Sequence, residues 1–202
     1  MYRFLFKKYT HENEDERFQS NYLSYVKETL NNLGLSGIWD NQANIPLSAE
    51  AFKMQVKRRL MDQFIQSWAN EVNVKESCYN YRLYKERFQT EKYFELLPDR
   101  LLFPLIKFRT LNHRLPIQTG RWRNTPRNER LCTKCDLNDL GDEFHYILKC
   151  PFFCNQRAKY VPLKYWKYPN VLNFQALFGT PNKKLLSNIA YFVKDIMKAF
   201  KE

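Results

Sequence analysis

This sequence predicts an all-α fold, mainly helical, built around one small irregular module. Three observations carry that prediction. Apolar residues recur at three- and four-residue steps along most of the chain, the period of one helix face. Only five glycines occur in 202 residues, too few for a turn-rich β sandwich. Three cysteines and one histidine crowd into "RLCTKCDLNDLGDEFHYILKC", residues 130–150, which follows no such period. The length suits one domain or two small ones. A composition 44% hydrophobic and 16% aromatic can build a core and is unlike a disordered chain.

Residues 1–17 form an acidic N-terminal segment ending in "HENEDER", most simply a solvated stretch. Residues 18–97 then read as a helical linker region. Its first helix puts Phe18, Tyr22, Val26, Leu30 and Leu33 on one face and can end at Gly34. "LSGIWDNQANIP" reads as a loop punctuated by Pro46. Ser48 can cap a second helix over roughly 49–70, with Phe52, Val56, Leu60, Phe64, Ile65 and Trp68 as its apolar face. Residues 79–97 are helix-like and rich in aromatics, a stripe that normally fills a core.

Residues 98–202 form a basic helical module. Pro98 suits the start of "PDRLLFPLIKFRTLNH", and Pro104 should kink or split it. A short helix begins at Pro151, and "YWKYPNV" is a break. Thr180-Pro181 can start the last helix, about 181–200, with Leu185, Ile189, Phe192, Ile196 and Phe200 on one face. Lys183, Lys184, Lys194, Lys198 and Lys201 also lie on this segment. No repeat or low-complexity tract is present.

The cysteine–histidine spacing is Cys132-x2-Cys135-x9-His145-x4-Cys150. Zinc takes four nitrogen or sulfur donors at tetrahedral angles, and a C-x-x-C turn supplies two thiolates from adjacent backbone. Asn138, Asp139 and Gly141 favour a turn that brings the chain back, and Asp142 can cap a short helix carrying His145. Residues five apart do not share a face of an α-helix. Pro151 pushes Cys150 out of helical geometry and leaves it as the N-cap of the next helix. The four residues thus make a zinc-knuckle-like Cys-Cys-His-Cys module holding one structural zinc ion. Cys154 is a rival to Cys150 as fourth ligand; otherwise it is a small buried residue. The plain alternative is a set of reduced cysteines beside a surface histidine. With four protein donors the site is closed, which argues against metal-assisted hydrolysis.

Charge is uneven. Residues 1–100 hold 15 Lys/Arg against 14 Asp/Glu, whereas residues 101–202 hold 18 against 7. A basic half points to a polyanionic partner, RNA or DNA above all, and to no membrane. Between 107 and 130 the cations Lys107, Arg109, Arg114, Arg121, Arg123, Arg127 and Arg130 face one acid, Glu129. Arginine's planar fork matches phosphate oxygens, and Trp122 between two arginines can stack on an unpaired base. The candidate nucleic-acid-binding residues are therefore Arg109, Arg114, Arg121, Trp122, Arg123, Arg127, Arg130 and Lys134. Gly120, Pro116 and Pro126 suggest a loop there. Alternatively, the arginines pair with Asp136, Asp139, Asp142 and Glu143 and brace the knot. His113 reads as a polar packing residue. "MYRFLFKK" meets its lysines too soon for a secretory apolar region, so an intracellular protein is expected, nuclear or nucleocytoplasmic.

"FRTLNHRLPIQTGRW", "ERLCTKC" and "DEFHYILKCPFF" together resemble the C-terminal region of invertebrate non-LTR (LINE-like) retrotransposon polyproteins. That region follows the reverse transcriptase and contains its zinc-binding domain. "VKRRLMDQFIQSW" and "CYNYRLYKERF" resemble the helical linker upstream of it. The resemblance implies zinc ligation by Cys132, Cys135, His145 and Cys150, and the handling of template RNA or target DNA beside a reverse transcriptase core. No Tyr-x-Asp-Asp polymerase motif and no endonuclease signature is found, so a non-catalytic tail is expected. The alternative is a protein-interaction module that packs on the polymerase or on itself.

Overall fold

The computed structural model describes residues 21–41, 48–85 and 87–200. The acidic segment 1–17, Phe18, Pro46 and Lys201 lie outside them. Among the described residues every regular element is helical, and one isolated antiparallel bridge joins Leu131 to Leu140. The expected all-α class therefore holds. No helix of the described residues is long and apolar enough to cross a membrane. Two compact units divide between Trp68 and Ala69, and the tyrosine-rich stretch lies in the second.

In the first unit, α1 (Asn21–Asn32) ends where Gly34 takes φ +66° and Leu35 N–H donates to Leu30 O at 2.8 Å. This is the left-handed glycine stop the sequence suggested. The stripe that packs is Leu23, Leu30 and Leu33, whereas Tyr22 is exposed. The segment expected to be a loop contains a short helix, α2 (Ser36–Asp40), because Trp39 turns inward onto Leu23 and Leu30. Ser48 Oγ accepts from Ala51 N–H at 3.1 Å and caps α3 (Ala49–Val74), which runs past the first unit. Phe52 packs on the small core, but Leu60 and Phe64 are exposed, so the expected apolar face is not a core face.

In the second unit, the aromatic stretch is not one helix. It breaks into α4 (Tyr81–Tyr84) and α5 (Tyr93–Leu96), whose Tyr81, Tyr84 and Tyr93 rings pack into the interior while Phe94 is exposed. Helix α6 (Asp99–Arg109) runs on through Pro104, which does not split it. Leu101, Leu105 and Phe108 form one buried stripe, and that burial outweighs the single bond that Pro104 cannot donate. The helix stops at Leu111, which adopts φ 63° while Asn112 N–H donates to Lys107 O.

Residues 116–122, expected as loop, form α7 (Pro116–Trp122), with proline at its first position. Beyond the cysteines come α8 (Cys154–Tyr160), α9 (Leu163–Trp166), α10 (Val171–Phe178) and α11 (Lys183–Ala199). The cap of α11 is Asn182, two residues beyond the expected threonine, with its side chain accepting from Leu185 N–H. α11 buries Leu186, Ile189, Phe192, Val193 and Ile196 against α6 and α8. Its lysines 183, 184, 194 and 198 remain outside.

Arg109 stands at the centre of this core, 2% exposed. Its guanidinium donates to Phe178 O at 2.9 Å and to Glu91 Oε2 at 3.3 Å. It lies 4.6 Å from the Tyr84 ring centre and 4.8 Å from that of Tyr93. Tyr84 Oη in turn donates to Arg109 O at 2.7 Å. Breaking a fully buried ion pair costs about 3–5 kcal/mol. Here Glu91 keeps Lys85 at 2.7 Å, so the low end of that range applies and the main loss is the donor to Phe178 O. Arg109→Ala should lose about that much stability in urea unfolding. Arg109→Lys should recover only part of it, because an ammonium cannot reproduce the fork.

Candidate metal centre

Two short backbone devices carry the four donors. The first is a minimal hairpin on either side of the Leu131–Leu140 bridge. Cys132 N–H donates to Asp139 O at 2.9 Å, and Gly141 N–H donates to Arg130 O at 2.8 Å. Asn138 takes φ 53° at the turn, as its residue type allows. Gly141 lets the hairpin press against α7. A Cβ there would stand 2.8 Å from Pro116 Cβ and 3.0 Å from Leu131 O. Lys134 N–H donates to Cys132 Sγ at 3.3 Å, steadying the thiol inside the C-x-x-C turn.

The second device is a helical turn wound one residue too wide. Asp142 Oδ1 accepts from His145 N–H at 2.9 Å, the cap the sequence suggested. His145–Lys149 then form a π-helical turn, closed by Cys150 N–H donating to His145 O at 2.8 Å. A turn closed from i to i+5 places residues five apart nearly one above the other, which an α turn cannot do. Pro151 does leave Cys150 extended at the cap of the following turn, with φ −53° and ψ 119°. The π turn is the part that sequence reasoning missed.

All four donor atoms lie within 4.8 Å of one another. Cys132 Sγ is 3.9 Å from Cys150 Sγ, and Cys135 Sγ is 3.4 Å from His145 Nε2. Tetrahedral coordination at the usual sulfur and nitrogen bond lengths requires separations of about 3.5–3.8 Å. The cluster is therefore the right size to close around one metal ion. Cys154 stands outside the group and is exposed, not the buried residue expected of it.

The surroundings suit that reading. His145 Nδ1 lies 3.5 Å from Asp139 Oδ2, and Lys149 Nζ holds the same carboxylate at 2.5 Å. A carboxylate behind the distal ring nitrogen is a common support for a ligating histidine; here the pair is within ion-pair range but Nδ1 makes no hydrogen bond among the described residues. Burial depresses the His145 imidazole below its ordinary value, which keeps it neutral. Burial also raises the Cys135 thiol and pushes Cys150 up to about 12, so a bound cation is what would draw their protons off. Arg157, which the sequence did not single out, is 2% exposed. It donates to Ile147 O at 2.8 Å and to Cys150 O at 2.7 Å, fastening the end of the π turn and placing positive charge beside the sulfurs.

A buried polar network backs the site. His113 Nε2 is 2.7 Å from Glu143 Oε1, and Asn80 donates to Asp142 at 3.1 Å and also to Glu143. Burial pushes the Glu143 carboxyl up, but the hydrogen bond and charge of His113, joined by Asn80, bring it below its usual value. His113 is thus an internal packing residue, as expected.

The eight candidate nucleic-acid residues divide. Arg109 and Arg130 are buried and belong to the interior, a correction to their place in a surface set. Arg130 donates to Thr125 O at 2.8 Å and to Glu76 at 3.0 Å. Arg114, Trp122 and Arg123 are exposed; Arg121, Arg127 and Lys134 are half-buried. The Arg127 guanidinium stacks 4.3 Å from the Tyr79 ring centre and approaches Asp142 at 3.9 Å, so it also braces the knot.

Comparison with protein-family models, with curated proteins and with solved structures returns no match.

The donor set predicts one bound metal per chain by elemental analysis of the purified protein. His145→Ala and Cys150→Ala should each abolish stoichiometric binding, whereas Cys154→Ala should leave it intact. Asp139→Ala should weaken metal affinity about 10–100-fold in a chelator competition, the usual effect of removing such support.

Proposed function

We propose that the protein is a non-catalytic, zinc-stapled module that binds RNA or DNA, the tail of a non-LTR retrotransposon reverse transcriptase. Zinc is the metal that suits three thiolates and one imidazole in a closed tetrahedron. The observation that carries the nucleic-acid reading is the placement of Arg114, Arg121, Trp122 and Arg123 on and beside α7. The metal hairpin is seated directly on the start of that helix through Gly141 and Pro116. Zinc therefore acts structurally. It fixes the ledge from which the cations reach phosphate oxygens, and positions template RNA or target DNA for a polymerase core.

A second reading, a protein-interaction module that packs on the polymerase or self-associates, draws on a different observation. Met54, Leu60, Met61 and Phe64 of α3 are all at least 47% exposed, and Phe94 is exposed in the tyrosine-rich stretch. Such apolar surface is characteristic of contact sites.

A salt titration of binding tests the first reading. Affinity held by phosphate contacts falls steeply with salt, with a slope of roughly −0.7 to −0.9 per contact. The triple change of Arg114, Arg121 and Arg123 to Gln should flatten the slope by about 2 and weaken binding at about 50 mM salt. A flat response in the unaltered protein, or no binding at that salt, refutes the reading. Partner capture that survives the triple change would favour the second.

A further inference from the structure

A cleft of about 390 Å³ opens between the ends of α6, α7 and α11. Its walls include Lys107, Asn112, Arg114, Trp122, Met197 and Phe200. Trp122 is 57% exposed, so the indole offers a free face at the opening. Lys107 and Arg114 are exposed beside it, and the walls carry no acidic side chain. On the far side Lys134 stands 5.2 Å from the Phe200 ring centre. Phe200 is itself held edge-to-face on Tyr146 at 5.0 Å, and Tyr146 on the metal-site His145 at 5.2 Å. One end of the cleft is thus anchored to the metal cluster.

An apolar recess between an open indole and a phenyl ring, rimmed by cations, complements one kind of ligand: a flat ring on a polyanionic strand. The volume lies within the roughly 300–1,000 Å³ typical of small-ligand sites. A paired base inside a duplex has its faces covered by its neighbours, whereas an unpaired base can leave the stack and enter. We infer that this cleft is a single-strand site, in which one unpaired base stacks on Trp122 while Lys107, Arg114 and Lys134 hold the flanking phosphates. The inference rests on the nucleic-acid reading and narrows it to single strands engaged by stacking.

The test compares oligo-dT, oligo-U and a duplex of equal length at about 50 mM salt, using the full metal-loaded chain. Trp122→Ala should weaken single-strand binding about 10–100-fold, the span seen when a stacking aromatic is removed. Duplex binding should change little, and Trp122→Phe should restore most of the single-strand loss. The two single strands show whether the site distinguishes ribose from deoxyribose. Trp122 is exposed, so both variants should fold and keep their metal, which elemental analysis checks. Unchanged single-strand affinity in Trp122→Ala, or equal losses on single strand and duplex, overturns the cleft while leaving the general reading standing. If the unaltered protein binds no strand, both fall together.

Discussion

Four donor atoms converging within 4.8 Å form the constraint around which the second unit is arranged. Neither arm that supplies them is a stable structure by itself. One is a two-residue bridge, far short of the strand pairing an independent hairpin requires. The other is a single π turn, a form that survives only where something holds it. Each arm is secured by its neighbours: the hairpin against Pro116, the π turn by Asp142 at its start and Arg157 at its end. A metal would tie the free edges of both.

That arrangement explains why a strongly basic chain carries so much of its arginine inside. Arg109, Arg130 and Arg157 are each buried, and they donate to Phe178 O, Thr125 O and Cys150 O, carbonyls at or just past the ends of helices and turns. Short helices leave many such carbonyls without partners. A guanidinium, with five donors in a fixed plane, can serve several at once. The interior cations therefore solve a problem created by a fold of brief helices. Arg114 and Arg123, which flank α7, meet no such demand and remain at the surface.

The helical class, the four donors, the Asp142 cap and the cap position of Cys150 were legible in the sequence because each rests on local chemistry. The spacing of Cys132 and Cys135 and the proline after Cys150 act over a few residues, with no need of distant contacts. What was not legible depended on the far side of the chain. Arg109 looks like its neighbours Arg114 and Arg123 in sequence, and only Tyr84, Tyr93 and Phe178 decide that it is interior. The left-handed stop at Leu111 lacked the glycine that would have marked it. The apolar period of α3 implied a buried face, yet periodicity records which residues share a face and not whether anything covers it.

The stop at Leu111 also determines where the exposed cations go. A left-handed leucine is costly, roughly 1–2 kcal/mol, and it is offset here by burial of its side chain. Had α6 continued, His113 and Arg114 would have extended along its axis. The reversal instead turns His113 inward to Glu143 and leaves Arg114 outside, at the mouth of the cleft beside Trp122. The buried His113–Glu143 pair thus fixes the register of the exposed arginine next to it. Interior polar chemistry and exterior charge are set by the same two residues of backbone, which is how a metal knot and a basic ledge come to share one rigid corner of the second unit.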